Sequence, residues 1–266
     1  MAVKSEASLY LAVDLVGPVV HALECGTAVV HSRAAPIDDR TNEDGAGVLR
    51  LGEGHVVLGV ADGVGGSRAA KEAARAALET LAATLQAGGA HSVLDAFDAA
   101  NQAVCALGLG AATTLAVAEI QGAELRTYHV GDSRVLVVGQ RGKRKHQTVD
   151  HSPVGYGVEA GLIDEREAID HAERHLVSNV LGSVDMSITV GPKLTLAPFD
   201  TVALGSDGLF DNLYVEEVEG VIRRGDLQEA AASALARCRE RMEHPRVGEP
   251  SKVDDATLVL YRGGGR

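Results

Sequence analysis

The sequence predicts an α+β fold in which antiparallel sheets are flanked by helices. Three observations lead there. Short Val- and Leu-rich runs recur along the chain, and several are joined by tight turns. Two long helical stretches sit together in the first half and two more lie near the end. Strands linked by hairpins make antiparallel sheets, whereas a doubly wound parallel sheet needs a crossover between successive strands.

Strands are expected over residues 9–16, 27–31, 55–61, 114–120, 124–130, 135–138, 193–196, 201–205 and 256–261. Gln121-Gly122 reads as a tight turn between two of them. A second turn at 139–142 leads into the basic stretch 141–145, expected as a solvated hairpin tip. The first long helix is expected over 68–86, with Ser67 as N-cap and Gly88-Gly89 as its stop; Ala70, Ala74, Ala77, Leu78, Leu81 and Leu85 keep helical spacing. Further helices are expected over 92–107, 215–223 and 227–241. The polar stretch 150–182 reads as an inserted flap with a short helix over 164–171.

Composition narrows the function. With 266 residues and 45% hydrophobic residues the chain has ample material for a core, and disorder is excluded. Aromatics are only 3% and Trp is absent, so the core rests on Val, Leu, Ile and Ala. Lys and Arg number 25 against 37 Asp and Glu, a net charge of −12 that argues against nucleic acid as the main partner. No apolar run reaches the roughly 18 residues that span a bilayer. The run 9–20 is broken by Asp14 and Pro18 and preceded by Glu6, unlike a signal peptide. Cys25, Cys105 and Cys238 are far apart, which fits neither a disulfide framework nor a zinc–thiolate site, so inert thiols and a cytoplasmic setting are expected.

The informative feature is where the apolar strands stop. Three of them run into an Asp beside a Gly, at Asp62-Gly63, Gly131-Asp132 and Asp207-Gly208. Asp-Gly is an ordinary hairpin corner. Here, however, Asp62-Gly63 and Asp207-Gly208 lead into helices, where no hairpin turn is required. Glu43-Asp44 lies early, and Asp254-Asp255 stands just before the last strand. Carboxylates gathered on one rim repel one another, and a bound cation removes the conflict. Carboxylate and carbonyl oxygens without sulfur suit Mg²⁺ or Mn²⁺, and a pair of such ions can activate water for attack on a phosphate ester.

These motifs resemble the metal-dependent protein phosphatases, the type 2C Ser/Thr phosphatase (PPM) family, in its bacterial single-domain form. The matching pieces occur in the family's order: Asn42-Glu43-Asp44, Ala61-Asp62-Gly63-Val64-Gly65-Gly66, Gly110-Ala111-Ala112-Thr113-Thr114, Val130-Gly131-Asp132-Ser133-Arg134, Asp150-His151-Ser152, Leu181-Gly182-Ser183, Ser206-Asp207-Gly208-Leu209-Phe210-Asp211 and Asp254-Asp255-Ala256-Thr257. The resemblance implies a four-layer αββα fold, a β-sandwich between helix pairs. It implies that Asp62 bridges two Mn²⁺ or Mg²⁺ ions, that the Gly63 carbonyl completes one site, and that Asp207 and Asp254 bind one ion directly. Glu43 and Asp44 would act near the metals, partly through water, and Asp132 would help hold a third ion. The implied reaction is hydrolysis of phosphoserine and phosphothreonine in proteins by a metal-bridging water, opposing a Ser/Thr kinase, in a monomer.

The implied division of the chain is a catalytic domain over 25–261 with its flap at 150–182. Residues 1–24 would pack on that domain without an assigned role, and 262–266 would form a tail. Glu159-Ala160-Gly161 looks like the flap's helix-start phrase. The sequence departs from the family in two places. Where an Arg usually contacts substrate phosphate ahead of Asn42, position 39 is Asp; Arg40 is shifted by one, and Arg33 is the alternative. Val64 stands where many eukaryotic members carry a His, so no general acid is assigned. A catalytically weak regulatory pseudophosphatase and a partner-specific signalling phosphatase are the competing functions. Of the remaining residues, His129 is expected to pack within its strand, His171 and His175 to lie on a solvated helix, and the basic stretch could steer acidic phosphopeptides.

Overall fold

The computed structural model describes residues 5–65, 68–87, 92–108 and 110–264. Ser67 and Gly88-Gly89, named above as the limits of a helix, lie outside them. Two antiparallel sheets stack face to face. The first is ordered β1 (Glu6–Leu11), β4 (Asp44–Gly52), β5 (His55–Val64), β7 (Leu115–Gln121), β8 (Glu124–Val130), β11 (Thr189–Val190), with β12 (Leu194–Thr195) also on β8 and β6 (Ala112–Thr113) on the end of β5. The second is ordered β10 (Arg144–Gln147), β9 (Arg134–Val138), β13 (Thr201–Gly205), β14 (Ala256–Gly263), β3 (Gly26–Arg33), β2 (Val19–Leu23).

Strand periodicity divides the core into three layers. Successive side chains point to opposite faces. Val30, Leu58, Val137, Leu204 and Val259 therefore fill the space between the sheets. Their neighbours Val29, Leu136, Ala203, Leu258 and Leu260 face α5 (Asp207–Phe210), α6 (Val215–Ile222) and α7 (Leu227–Glu243). On the other side Leu49, Val57, Leu115 and Val117 face α1 (Arg68–Gln86) and α2 (Val93–Leu107). This is the expected αββα arrangement. Because strands of this kind are buried on both faces, they read as continuous apolar runs rather than as alternating ones.

The helices are set by their stripes and caps. Ala70, Ala74, Ala77, Leu78 and Leu81 of α1 are buried. Each buried Leu contributes roughly 1.5–3 kcal/mol. Leu78 reaches deep into the sheet because β4 offers no side chain there: a Cβ on Gly45 would come within 2.6 Å of Leu78 Cδ1. Ser92 caps α2 in a capping box with Asp95, and Asp226 caps α7. Among the described residues no helix is long and apolar enough to cross a membrane.

Several expectations are corrected. Residues 6–23 supply two edge strands, and β1 ends at Leu11 because Ala12 turns to positive φ. β4, β10, β11 and the helices α3 (Pro153–Glu159) and α5 were not anticipated. The short flap helix α4 is confined to Glu165–Ile169, so His171 and His175 lie beyond it, in irregular backbone. Glu159-Ala160-Gly161 is the end of α3 rather than a helix start, with Gly161 at φ 70. The basic stretch does turn the β9–β10 hairpin, with Arg141 and Lys143 exposed, but its end is not free: Arg144 belongs to β10 and pairs with Glu165 (2.8 Å) and Glu219 (2.5 Å), and Lys145 pairs with Asp200. Cys238 is buried, whereas Cys105 is exposed.

Candidate active site

Both sheets end at one rim, and the strand-end carboxylates meet there. Asp44 opens β4 and lies directly opposite Asp62 near the end of β5. Asp207 follows β13, and Asp254 precedes β14, which pairs with β13. Two glycines make the approach close enough. A Cβ on Gly63 would lie 2.5 Å from the Ala70 carbonyl, so only glycine lets α1 start against the end of β5. A Cβ on Gly208 would lie 1.8 Å from the Asp255 carbonyl oxygen. Glycine there lets the turn carrying Asp207 sit against the segment carrying Asp254.

Hydrogen bonds fix the rim. Ser206 Oγ donates to Asp44 Oδ2 (2.8 Å) and accepts from the Thr257 N–H (3.0 Å), tying one sheet to the other. The Asp62 N–H donates to Thr114 Oγ1 (3.1 Å), while the Asp62 carbonyl accepts from the Thr114 N–H (2.9 Å) and from Thr113 Oγ1 (2.8 Å). The two threonines quoted in the third motif thus hold the Asp62 backbone. Asp255 accepts from the Ala35 N–H (2.7 Å) and the Glu43 N–H (2.8 Å), which anchors the loop bearing Arg40. Asp39 has φ 60, and this left-handed residue turns Arg40 inward, where Nη2 donates to Asp254 Oδ1 (3.1 Å). Arg33 instead pairs with Asp14 (2.6 Å).

The electrostatics are those of a crowded acidic basin. Burial, and then Asp44, Asp207, Asp254 and Asp132, push the Asp62 carboxyl well above the usual carboxylate range. Burial and Asp255 do the same to Asp44, and burial, Asp207, Asp150 and Asp211 do it to Asp132. Burial chiefly raises Glu43 and Asp254, and Asp211 is pushed up to about 6 by burial and Asp207. Among the described residues one ammonium reaches into this basin: Lys252 Nζ contacts Asp207 and lies 3.2 Å from both Asp211 and Asp254. Among the described residues no three His, Cys, Asp or Glu side chains already stand as a closed coordination set. The donor chemistry nevertheless fits hard divalent cations: several oxygen ligands, no sulfur, and mutual repulsion that a cation would relieve.

The flap borders the basin. Ser152 caps α3 and Asp164 caps α4. Leu181 bridges to Thr113, and Arg174 Nη2 donates to the Ser251 carbonyl (3.2 Å). Between flap and rim lies a cleft of about 330 Å³, lined by Asp132, Arg134, Asp150, Arg174, Asp207 and Asp211. Arg134 pairs with Asp150 and lies over the Phe210 ring. His129 packs in β8 as expected, stacked on His151 at 4.4 Å, with Nε2 bonded to the Val149 carbonyl (2.8 Å). Lys252, Asp211, Asp255, Ser206 and Thr114 were assigned no role from sequence. Four of these five lie inside the quoted motifs, and only Lys252 lies outside them.

Comparison with known proteins agrees with this geometry. The family model described as Protein phosphatase 2C matches residues 33–244. Protein phosphatase PhpP of Streptococcus pneumoniae is 30% identical over 188 residues, covering 66% of this chain and 75% of the relative. The crystal structure of the Mycobacterium tuberculosis serine/threonine phosphatase PstP/Ppp superposes with a TM-score of 0.74 at 25% identity, covering 90% of this chain and 98% of that one. The catalytic domain of PstP in complex with two manganese ions shares the fold, with a TM-score of 0.69 at 21% identity and coverage of 90% and 98%. The chain belongs to the protein phosphatase 2C family, and its class is that of a metal-dependent protein-serine/threonine phosphatase.

Proposed function

We propose that this chain removes phosphate from phosphoserine and phosphothreonine in proteins, using two Mn²⁺ or Mg²⁺ ions held by Asp62, the Gly63 carbonyl, Asp207 and Asp254. The observation that carries the reading is the convergence of Asp44, Asp62, Asp207 and Asp254, from both sheets, on one rim where burial and mutual repulsion disfavour the charged forms of Asp44, Asp62 and Asp254. When bound, such ions supply activation of water and a clamp on the phosphoryl oxygens. The chain's own groups do the rest. Asp44 and Glu43 stand beside the direct ligands to hold water. Asp132, just past the end of β8 and near enough for its charge to raise Asp62, is the position for a third ion. Arg40 is the phosphate-binding group: its guanidinium is already at the rim, 29% exposed, whereas Arg33 is engaged by Asp14. The flap, residues 150–182 within a catalytic domain spanning 25–261, forms the wall that a phosphopeptide would meet.

We assign the enzyme to the cytoplasm as a monomer opposing a Ser/Thr kinase. The regulatory pseudophosphatase reading gains no support, because Asp44, Asp62, Asp132, Asp207 and Asp254 of the motif set are all retained in the sequence. The test is hydrolysis of a phosphothreonine peptide with and without Mn²⁺. Activity that EDTA abolishes, and that Asp62→Asn or Asp207→Asn lowers by two to three orders of magnitude or more, on the scale of lost charge stabilisation, is expected. Undiminished turnover in EDTA would refute the metal mechanism.

A further inference from the structure

Lys252 belongs to none of the motifs, yet its ammonium contacts three carboxylates of the acidic basin. Nζ contacts Asp207 Oδ2 and lies 3.2 Å from Asp211 Oδ2 and from Asp254 Oδ2. Its backbone is gripped from both sides by one side chain. The Lys252 N–H donates to Asn212 Oδ1 (2.9 Å), and Asn212 Nδ2 donates to the Lys252 carbonyl (2.8 Å). The same Nδ2 donates to the Gly208 carbonyl (2.8 Å), in the turn that bears Asp207. The contacts that place Asp207 therefore also place Lys252, and the ammonium is built into the site. Its side chain is 22% exposed, so a route to solvent remains open.

We infer that Lys252 is a tethered cation that competes with the divalent ion for Asp207 and Asp254. This rests on the assignment of those two carboxylates as metal ligands. A small divalent ion takes carboxylate oxygens at about 2.0–2.6 Å. An ammonium hydrogen-bonded to the same oxygens competes with it for them, and the charge of the ion repels it at that distance. Binding must therefore expel Nζ toward solvent, and the ion pairs it leaves subtract from the metal's affinity. When the ion departs, the ammonium returns and neutralises the carboxylates, so the rim stays assembled. Lys252 thus sets the metal concentration at which the site fills and protects the fold when it empties.

The experiment compares Mn²⁺ binding by calorimetry in the wild type, Lys252→Met and Lys252→Arg, with thermal midpoints measured in EDTA and in Mn²⁺. Lys252→Met is expected to bind Mn²⁺ roughly ten-fold or more tightly, the least that loss of a competing unit charge should yield in a partly buried site. It should melt lower than wild type in EDTA and gain more from added Mn²⁺. Lys252→Arg should keep the weaker binding. If Lys252→Met does not fold in EDTA, it is prepared with Mn²⁺, and its affinity is read by withdrawing the ion with a chelator of known strength. Equal or weaker Mn²⁺ binding by Lys252→Met would overturn the competition while leaving the metal site intact. Absence of Mn²⁺ binding in the wild type would overturn the metal site itself, and the competition with it.

Discussion

Removing the charge of Asp211 should stabilise the protein, by an amount the basin itself sets. Asp211 is 8% exposed, lies 3.2 Å from Lys252, and is pushed from 3.8 up to about 6 by burial and Asp207, despite Lys252, Arg174 and Arg134. The folded carboxyl keeps its proton to about pH 6, the unfolded one only to about 3.8. Between these values the folded state holds more protons. The contribution is therefore fully present below the unfolded value and is lost as the pH rises through the folded one. A shift from 3.8 to about 6 corresponds to roughly 3 kcal/mol. The assay is urea unfolding in EDTA at a series of pH values from 4 to 8. Wild type should lose stability over the lower half of that range, up to about pH 6, and change little from this group above it. Asp211→Asn should lose less, and should exceed wild type at neutral pH by at most about 3 kcal/mol, or several degrees in Tm. The loss should shrink in Mn²⁺, because a divalent ion favours the charged forms. A variant with the wild-type pH slope, or one less stable than wild type at neutral pH, would refute the claim that repulsion and burial outweigh the Lys252 pair.

Two further substitutions test other parts of the account. Arg40→Ala should raise KM for a phosphothreonine peptide by roughly ten-fold to a hundred-fold, the range for a hydrogen bond between charged groups, while Arg33→Ala leaves KM unchanged; steady-state kinetics with the opposite ranking would move the phosphate contact to Arg33. Gly208→Ala would drive a Cβ to within 1.8 Å of a backbone oxygen that has no free side chain to yield. It should cost about 1–3 kcal/mol or more and separate Asp207 from Asp254, seen as a lower Tm together with weaker Mn²⁺ binding; a Tm equal to wild type would show that the approach is not tight.

Much of this was legible in the sequence because the decisive residues break a local pattern. An Asp-Gly that leads into a helix instead of a returning strand is anomalous on its face, and Asp62 and Asp207 stood out for that reason. Asp132 ended a third strand beside a Gly, and the ordered motifs then gave it, Asp44 and Asp254 their implied roles. What escaped was set by contacts distant in the chain. β4 reads as a weak strand because of Gly45, Gly47 and Gly52, yet Gly45 is the hole into which Leu78 fits. α3 carries two glycines that lower helix propensity. A Cβ on one of them, Gly155, would meet the Asp150 carbonyl at 2.5 Å. Asp39 gave no hint that its left-handed backbone would restore Arg40 to the rim. Lys252 could not be read at all: nothing local tells a lysine among polar neighbours that Asn212, forty residues away, will hold it in the basin.

The stitch from Asp44 through Ser206 to Thr257 has a consequence for when the enzyme can come to life. Two of the four rim carboxylates, Asp44 and Asp62, are translated early and lie on one sheet; Asp207 and Asp254 arrive late, and Asp254 comes with the strand that pairs with β3 more than two hundred residues upstream. A growing chain on the ribosome therefore holds an incomplete acidic rim until its last strand has emerged and docked. If those carboxylates hold the metal as proposed, catalytic competence reports that the whole domain has closed, and a product cut before its last strand is expected to be silent rather than an unregulated phosphatase.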